Sequence, residues 1–201
     1  MTEIRHTRAS TSRPCIVLIC PHSSYRLGPY IRAAEKLNVH VIVVSEGKYS
    51  LVSAIASGIH INFTDSDVAG QIITKLKRSN IMAVLGTDDL TVVLAAQVSK
   101  SLGLIHNDPA SSQYTRRKDL ARTCLTKSDV HIPAFEIQRL QQLIDNPATT
   151  LPYPCVIKPL ALSGSRGVIR VNNREELQHA CQRLQAILAN ATGDDEERTH
   201  V

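Results

Sequence analysis

Leu151-Pro-Tyr-Pro-Cys155-Val-Ile-Lys158-Pro-Leu-Ala-Leu-Ser163-Gly-Ser-Arg-Gly167-Val168 is the stretch that decides how this chain folds. Cys155, Val156 and Ile157 form a short apolar run bounded by prolines, which predicts a buried strand too short to be a helix. Lys158 closes that strand. Burying an ammonium is costly unless an anion pairs with it, so a lysine here invites a phosphate or a carboxylate. Ser163, Gly164, Ser165, Arg166 and Gly167 follow, mostly small residues whose backbone N–H groups can approach an anion closely. Taken locally, the same features also describe a hairpin turn after a lysine that snorkels to water.

Working outward, Val168 to Val171 is apolar enough to pair with Cys155–Ile157 as a hairpin across the loop. A helix is predicted from Asn173, with Glu176 as capping-box partner and a stripe of Leu177, Ala180, Cys181, Leu184, Ile187 and Leu188. That stripe needs a sheet to cover, and two strands alone make a marginal one. Asp194, Asp195, Glu196 and Glu197 form a contiguous acidic run, expected to be a solvated tail and not assigned to a metal.

Upstream, strands and helices alternate. Cys15–Cys20 is a continuous apolar run of the kind covered on both faces in a parallel sheet. A helix carrying Ile31, Ala34 and Leu37 stops near Asn38, and strands are predicted at Val39–Val44, around Ile59–Phe63 and at Ile81–Leu85. Asp65 or Asp67 caps the helix of Val68, Ile72 and Leu76, and Leu90–Leu102 is an apolar helix ended by Gly103 before a short strand at Leu104–His106. The alternation predicts right-handed crossovers and a Rossmann-like, doubly wound parallel sheet over residues 14–110. Ligands in such sheets gather at the carboxyl ends of the strands, which here carry Ser23, Ser24, Tyr25 and Arg26, then Thr87, Asp88 and Asp89. The two aspartates are read as helix caps; Tyr25 and Arg26 are either a substrate contact or a surface pair.

Residues 111–150 read as a helical connector. Its basic helix holds Arg116, Arg117, Lys118, Arg122 and Lys127 against Asp119, either as a solvated face or with one cation reaching over a bound polyphosphate. The chain has 201 residues, is 43% hydrophobic and carries a net charge of +5, enough for a substantial core and only mildly basic. With 3% aromatic content and no tryptophan it lacks stacking platforms for single-stranded nucleic acid. Residues 1–13, with Arg5, Arg8 and Arg13 against Glu3, read as a disordered arm. No apolar run approaches the roughly 20 residues needed to span a bilayer. Five cysteines without metal-ligand spacing fit a reducing compartment, so the cytoplasm is expected. Neither G-x-G-x-x-G after the first strand nor a G-x-x-x-x-G-K-[ST] loop is present, which argues against an NAD-type or P-loop site.

Together the Ser24-Tyr25-Arg26 loop, Gly103 to Pro109, Arg117-Lys118-Asp119, Val130-His131-Ile132-Pro133, Pro154 to Pro159 and Ser163 to Gly167 resemble the ATP-grasp superfamily, nearest its carboxylate–amine ligases. About forty residues separate Lys118 from Lys158, and the order of these pieces adds specificity. The resemblance covers nearly everything from Pro14 onward, and implies a pre-ATP-grasp domain at 14–110, the connector at 111–150 and a small α+β first ATP-grasp subdomain at 151–201. It further implies that Lys118 and Lys158 contact ATP phosphates and that Ser163, Gly164, Ser165, Arg166 and Gly167 fold over the triphosphate as a lid. A carboxylate substrate becomes an acyl phosphate, which an amine attacks. The second grasp subdomain, which in the family supplies the magnesium ligands and a transition-state arginine, has no counterpart after Lys158. The chain is therefore expected to be the N-terminal part of such a ligase and not catalytic alone. Two alternatives remain: a non-catalytic module for a small ligand, and a subunit completed by a partner chain or a second copy.

Overall fold

A computed structural model describes residues 13–22, 24–47, 58–76, 80–191 and 193–201. The predicted arm, apart from Arg13, and Ser23 lie outside the described residues. The chain divides between Ser112 and Gln113 into two compact units.

The first unit begins with β1 (Cys15–Cys20), α1 (Leu27–Lys36), β2 (His40–Ser45) and β3 (Gly58–His60). It continues with α2 (Val68–Lys75), β4 (Ile81–Gly86) and α3 (Val92–Ser101). All strand pairs are parallel and the order is β3-β2-β1-β4, so β1 is central. Its continuous apolar sequence follows from having cover on both sides. Val17 and Ile19 pack with Ile72 of α2 and Val98 of α3, whereas Leu18 and Cys20 pack with Leu27 of α1. Each of these large side chains, fully removed from water, is worth roughly 1.5–3 kcal/mol. Asp67 is the helix cap, accepting from the Gly70 amide at 3.0 Å, and Asn38 ends α1 at φ 53°.

Two expectations fail in this unit. Leu104–His106 forms no strand, and Ile105 is 100% exposed. Local bonds consume that backbone: the Leu104 amide donates to Ser99 at the end of α3, and the Leu104 carbonyl lies 2.8 Å from His106 Nδ1. Asp88 is not a helix cap either. The N-cap of α3 is Thr91, and the Asp88 carboxylate turns to accept from the Ser24 and Thr87 hydroxyls at 2.7 and 2.8 Å.

In the second unit, α4 (Pro109–Arg116) crosses the boundary and leads to α5 (Lys118–Leu125), α6 (Leu140–Asp145), β5 (Cys155–Ile157) and β6 (Ile169–Val171). The helices α7 (Arg174–Ala189) and α8 (Asp195–Thr199) complete it. The strands β5 and β6 pair antiparallel with Cys155 opposite Val171 and Ile157 opposite Ile169, the hairpin expected from the opening stretch. The predicted stripe of α7 covers it: Leu177, Ala180, Cys181, Leu184 and Leu188 are buried with Ile157 and Val171, joined by Leu140 and Leu143 of α6. Asn173 caps α7 through the Glu176 amide at 2.8 Å, while the Glu176 carboxylate bonds back to the Asn172 amide. Gln138 and Val201 exchange both backbone hydrogen bonds, at 3.1 and 3.0 Å.

Asp194, Asp195 and Glu196 are exposed, as expected of a solvated run, whereas Glu197 is not, and the basic helix start is not a solvated face. Residues 195–199 form α8, and Glu197 is buried against Arg116. The Arg117 side chain, 8% exposed, donates twice to Asp119, at 2.8 and 2.5 Å, and once to Glu196 at 2.6 Å, with Asp194 at 3.7 Å. A contiguous charge run predicts solvation only where no opposite charge faces it, and here two arginines do. Burial alone would raise the Asp119 carboxyl, but the bonds and charge of Arg117 outweigh it and hold the carboxyl below its usual range.

A depressed carboxyl contributes its stability above its unfolded value near pH 4 and loses it as pH falls through the lower folded value. Asp119→Asn, which removes the buried charge partner of Arg117 and leaves it only the exposed Glu196 and Asp194, is expected to cost about 3 kcal/mol in urea unfolding at pH 7, with a shallower loss on acidification than the native chain. Glu196→Gln, at an exposed carboxylate, is expected to cost under about 1 kcal/mol.

Candidate functional site

Lys158 leaves the end of β5 partly buried, and Pro159, Leu160 and Ala161 behind it are buried. Burial first, and the nearby Arg122 second, hold the Lys158 ammonium below its ordinary range. Among the described residues Lys158 has neither a hydrogen bond nor a carboxylate partner. Arg122 lies on α5 one turn after Lys118, with its guanidinium 5.7 Å from the Phe135 ring centroid and 3.4 Å from the Pro133 carbonyl. It has no carboxylate partner among the described residues.

Lys118 opens α5 and is tied to the segment that follows Lys158. Its amide donates to the Leu160 carbonyl at 3.0 Å, and its ammonium donates to the Leu162 and Leu160 carbonyls at 2.8 and 3.3 Å. Lys118, Lys158 and the loop are thus brought together within the second unit. Arg117 and Asp119 on either side of Lys118 are committed to their own buried pair, which sets the direction in which α5 starts.

The loop tip, Ser163 to Arg166, is exposed. Its backbone turns on itself through the Ser163 and Ser165 carbonyls, which accept from the Arg166 and Val168 amides at 3.3 and 3.2 Å. Gly164, Ser165 and Gly167 have φ of 65°, 59° and 73°, the left-handed region in which glycine is unstrained and serine costs of order 1–2 kcal/mol. Gly167 is required by space as well: a Cβ there would lie 2.7 Å from Leu184 Cδ2 and 3.0 Å from Pro159 Cδ. The tip is free while its base is wedged against the core.

Tyr25 and Arg26 belong to the first unit, at the carboxyl end of β1 beside β4. Arg26 donates to the Thr87 carbonyl at 3.1 Å, lies 3.9 Å from Asp88 and stacks over Tyr25 at 5.7 Å; Tyr25 is 83% exposed. The pair is built into the sheet end through Asp88, which the capping assignment had hidden. Arg122 was one of five cations in the basic helix; its spacing of four residues from Lys118, which puts both on one helix face, was the available signal.

The ATP-grasp domain family model matches residues 151–199. Over 53 residues the chain is 42% identical to a D-alanine–D-alanine ligase of Synechococcus sp. (strain WH7803), 26% of this chain and 14% of that protein. Its structure is similar to that of an L-amino acid ligase from Bacillus licheniformis, with a TM-score of 0.68 and 21% identity over 90% of this chain. The chain carries an ATP-grasp fold. A carboxyaminoimidazole ribonucleotide synthetase, solved as an ADP complex, shares that fold with a TM-score of 0.62 and 12% identity over 86% of this chain. The chain spans 43% and 44% of those two structures' lengths.

Asp119, Asp194, Glu196 and Glu197 do not fit a magnesium site, since each faces Arg116 or Arg117, and the described residues contain no group of three metal-ligating side chains. All five cysteines are free thiols, with Cys20 and Cys181 pushed up to about 11, chiefly by burial. No described helix is long and apolar enough to cross a membrane.

Because the folded state disfavours protonated Lys158, its charge costs stability at pH 7, a cost relieved only as pH rises from the folded value toward the ordinary one. Lys158→Met is therefore expected to raise the thermal midpoint, by about 2–4 °C for each kcal/mol relieved. A differential scanning measurement showing a lower midpoint would mean that the ammonium has a stabilising partner.

Proposed function

We propose that this chain is the ATP-binding part of a ligase that activates a carboxylate as an acyl phosphate for attack by an amine. The observation that carries this is Lys158, a partly buried cation beside a second cation with no counter-anion among the described residues. A polyphosphate would supply the missing negative charge. Lys158 and Lys118 would neutralise charge on the transferred phosphoryl group, and the loop of Ser163, Gly164, Ser165, Arg166 and Gly167 would cover it, the exposed tip closing from the wedged base at Gly167. Phosphoryl transfer asks little more of a protein than such positioning and charge. In the first step a carboxylate oxygen forms a bond to the γ-phosphorus as the bond to the ADP oxygen breaks; in the second the amine nitrogen bonds to the acyl carbon and phosphate leaves.

Support comes from the family match over residues 151–199 and the local likeness to a D-alanine–D-alanine ligase. Tyr25 and Arg26 are proposed to contact the carboxylate substrate, Arg26 offering a guanidinium already oriented by Thr87 and Asp88. Magnesium is proposed to accompany ATP through ligands other than the carboxylates described above. The cytoplasm, where thiols stay reduced, is the proposed location.

Calorimetric titration of ATP with magnesium into the native chain, Lys118→Ala and Lys158→Ala tests the proposal. Binding is expected in the native chain, with at least about a tenfold loss in each variant, the scale of one hydrogen bond to a charged group. Affinity unchanged in both variants would sink it.

A further inference from the structure

The base of the Ser163–Gly167 loop is approached by cations from two elements. Lys118 and Arg122 stand four residues apart on α5, hence on one face of that helix, and Lys158 ends β5. The Lys118 bonds to the Leu160 and Leu162 carbonyls hold that face against the segment immediately after Lys158. Arg122 sits next along the same face. Its guanidinium lies over the Phe135 ring at 5.7 Å and donates to the Pro133 carbonyl at 3.4 Å, with no carboxylate partner among the described residues. Lys158 and the nearby Arg122 have no carboxylate partner among the described residues, so they repel each other, and that arrangement makes physical sense when something negative completes it.

We propose that Arg122 is a third phosphate-binding cation, joining Lys118 and Lys158 around the polyphosphate of the nucleotide. This rests on the phosphate site proposed above and adds a residue to it. A guanidinium contributes what the lysines cannot: a planar pair of N–H donors that engages two oxygens of one phosphate at once. Stacking on Phe135 orients that fork before the ligand arrives, which reduces the ordering cost of binding. The lowered Lys158 ammonium is consistent with the same closeness, since Arg122 is its second cause after burial.

Tripolyphosphate, which carries the charge of the nucleotide without its base, is the probe. Calorimetry on the native chain, Arg122→Gln, Arg122→Lys and Lys158→Ala is expected to show about a tenfold weaker affinity for Arg122→Gln, partial recovery in Arg122→Lys, and a thermal midpoint for Arg122→Gln no lower than native. Native affinity in Arg122→Gln alongside a loss in Lys158→Ala would overturn the role of Arg122 and leave the phosphate site standing. A loss in Arg122→Gln that comes with a lower midpoint and no recovery by lysine would reduce Arg122 to a packing residue and overturn the proposal. Absence of tripolyphosphate binding by the native chain at millimolar concentration would remove the site and the role of Arg122 together.

Discussion

Arg117 is a buried cation, and much of the second unit is arranged to make its burial tolerable. Asp119 takes two of its N–H groups and Glu196 a third contact, so helix α5, which begins between Arg117 and Asp119, can start in only one direction. Lys118 sits between these two residues and faces the other way, where its ammonium and amide fasten the Leu160–Leu162 segment. The positions of Lys158 and of the glycine–serine loop follow from that fastening. A buried ion pair is a weak source of net stability, but removing one partner is severe, which is why such a pair fixes geometry well.

The opposite strategy operates in the first unit. Strand β1 carries no charge from Cys15 to Cys20 and alternates its side chains between two apolar layers, so its position is set by packing and by the ladders to β2 and β4. Polar groups are confined to the strand ends, where Asp88 collects Ser24, Thr87 and Arg26. One unit is thus ordered by oil and the other at its critical helix start by charge.

This difference explains what was legible in the sequence. Apolar patterning exposed the central sheet strands, the β5–β6 hairpin and the stripe of α7, because each depends on residues near in sequence or on simple periodicity. The contacts of Asp88 with Ser24 and of Arg117 with Glu196 join residues 64 and 79 apart, and neither has a periodic signature. Local rules therefore assigned Asp88 to a cap and Glu197 to solvent, and missed the partner of Glu196. Leu104–His106 looked like a strand because its composition suits one, yet the Leu104 amide is bonded to the end of α3 and the Leu104 carbonyl lies against the His106 ring.

The glycine–serine loop is tied at both ends, by the hold of Lys118 on Leu162 and by the wedge of Gly167 between Leu184 and Pro159. Between those ties only Ser163 to Arg166 are exposed. A tether with so few links, going out and returning, reaches roughly 8 Å from its base even when fully stretched. A span of that size falls short of a purine ring with its sugar and is matched to a single tetrahedral anion. The length of the tether thus acts as a ruler for the size of what it can cover.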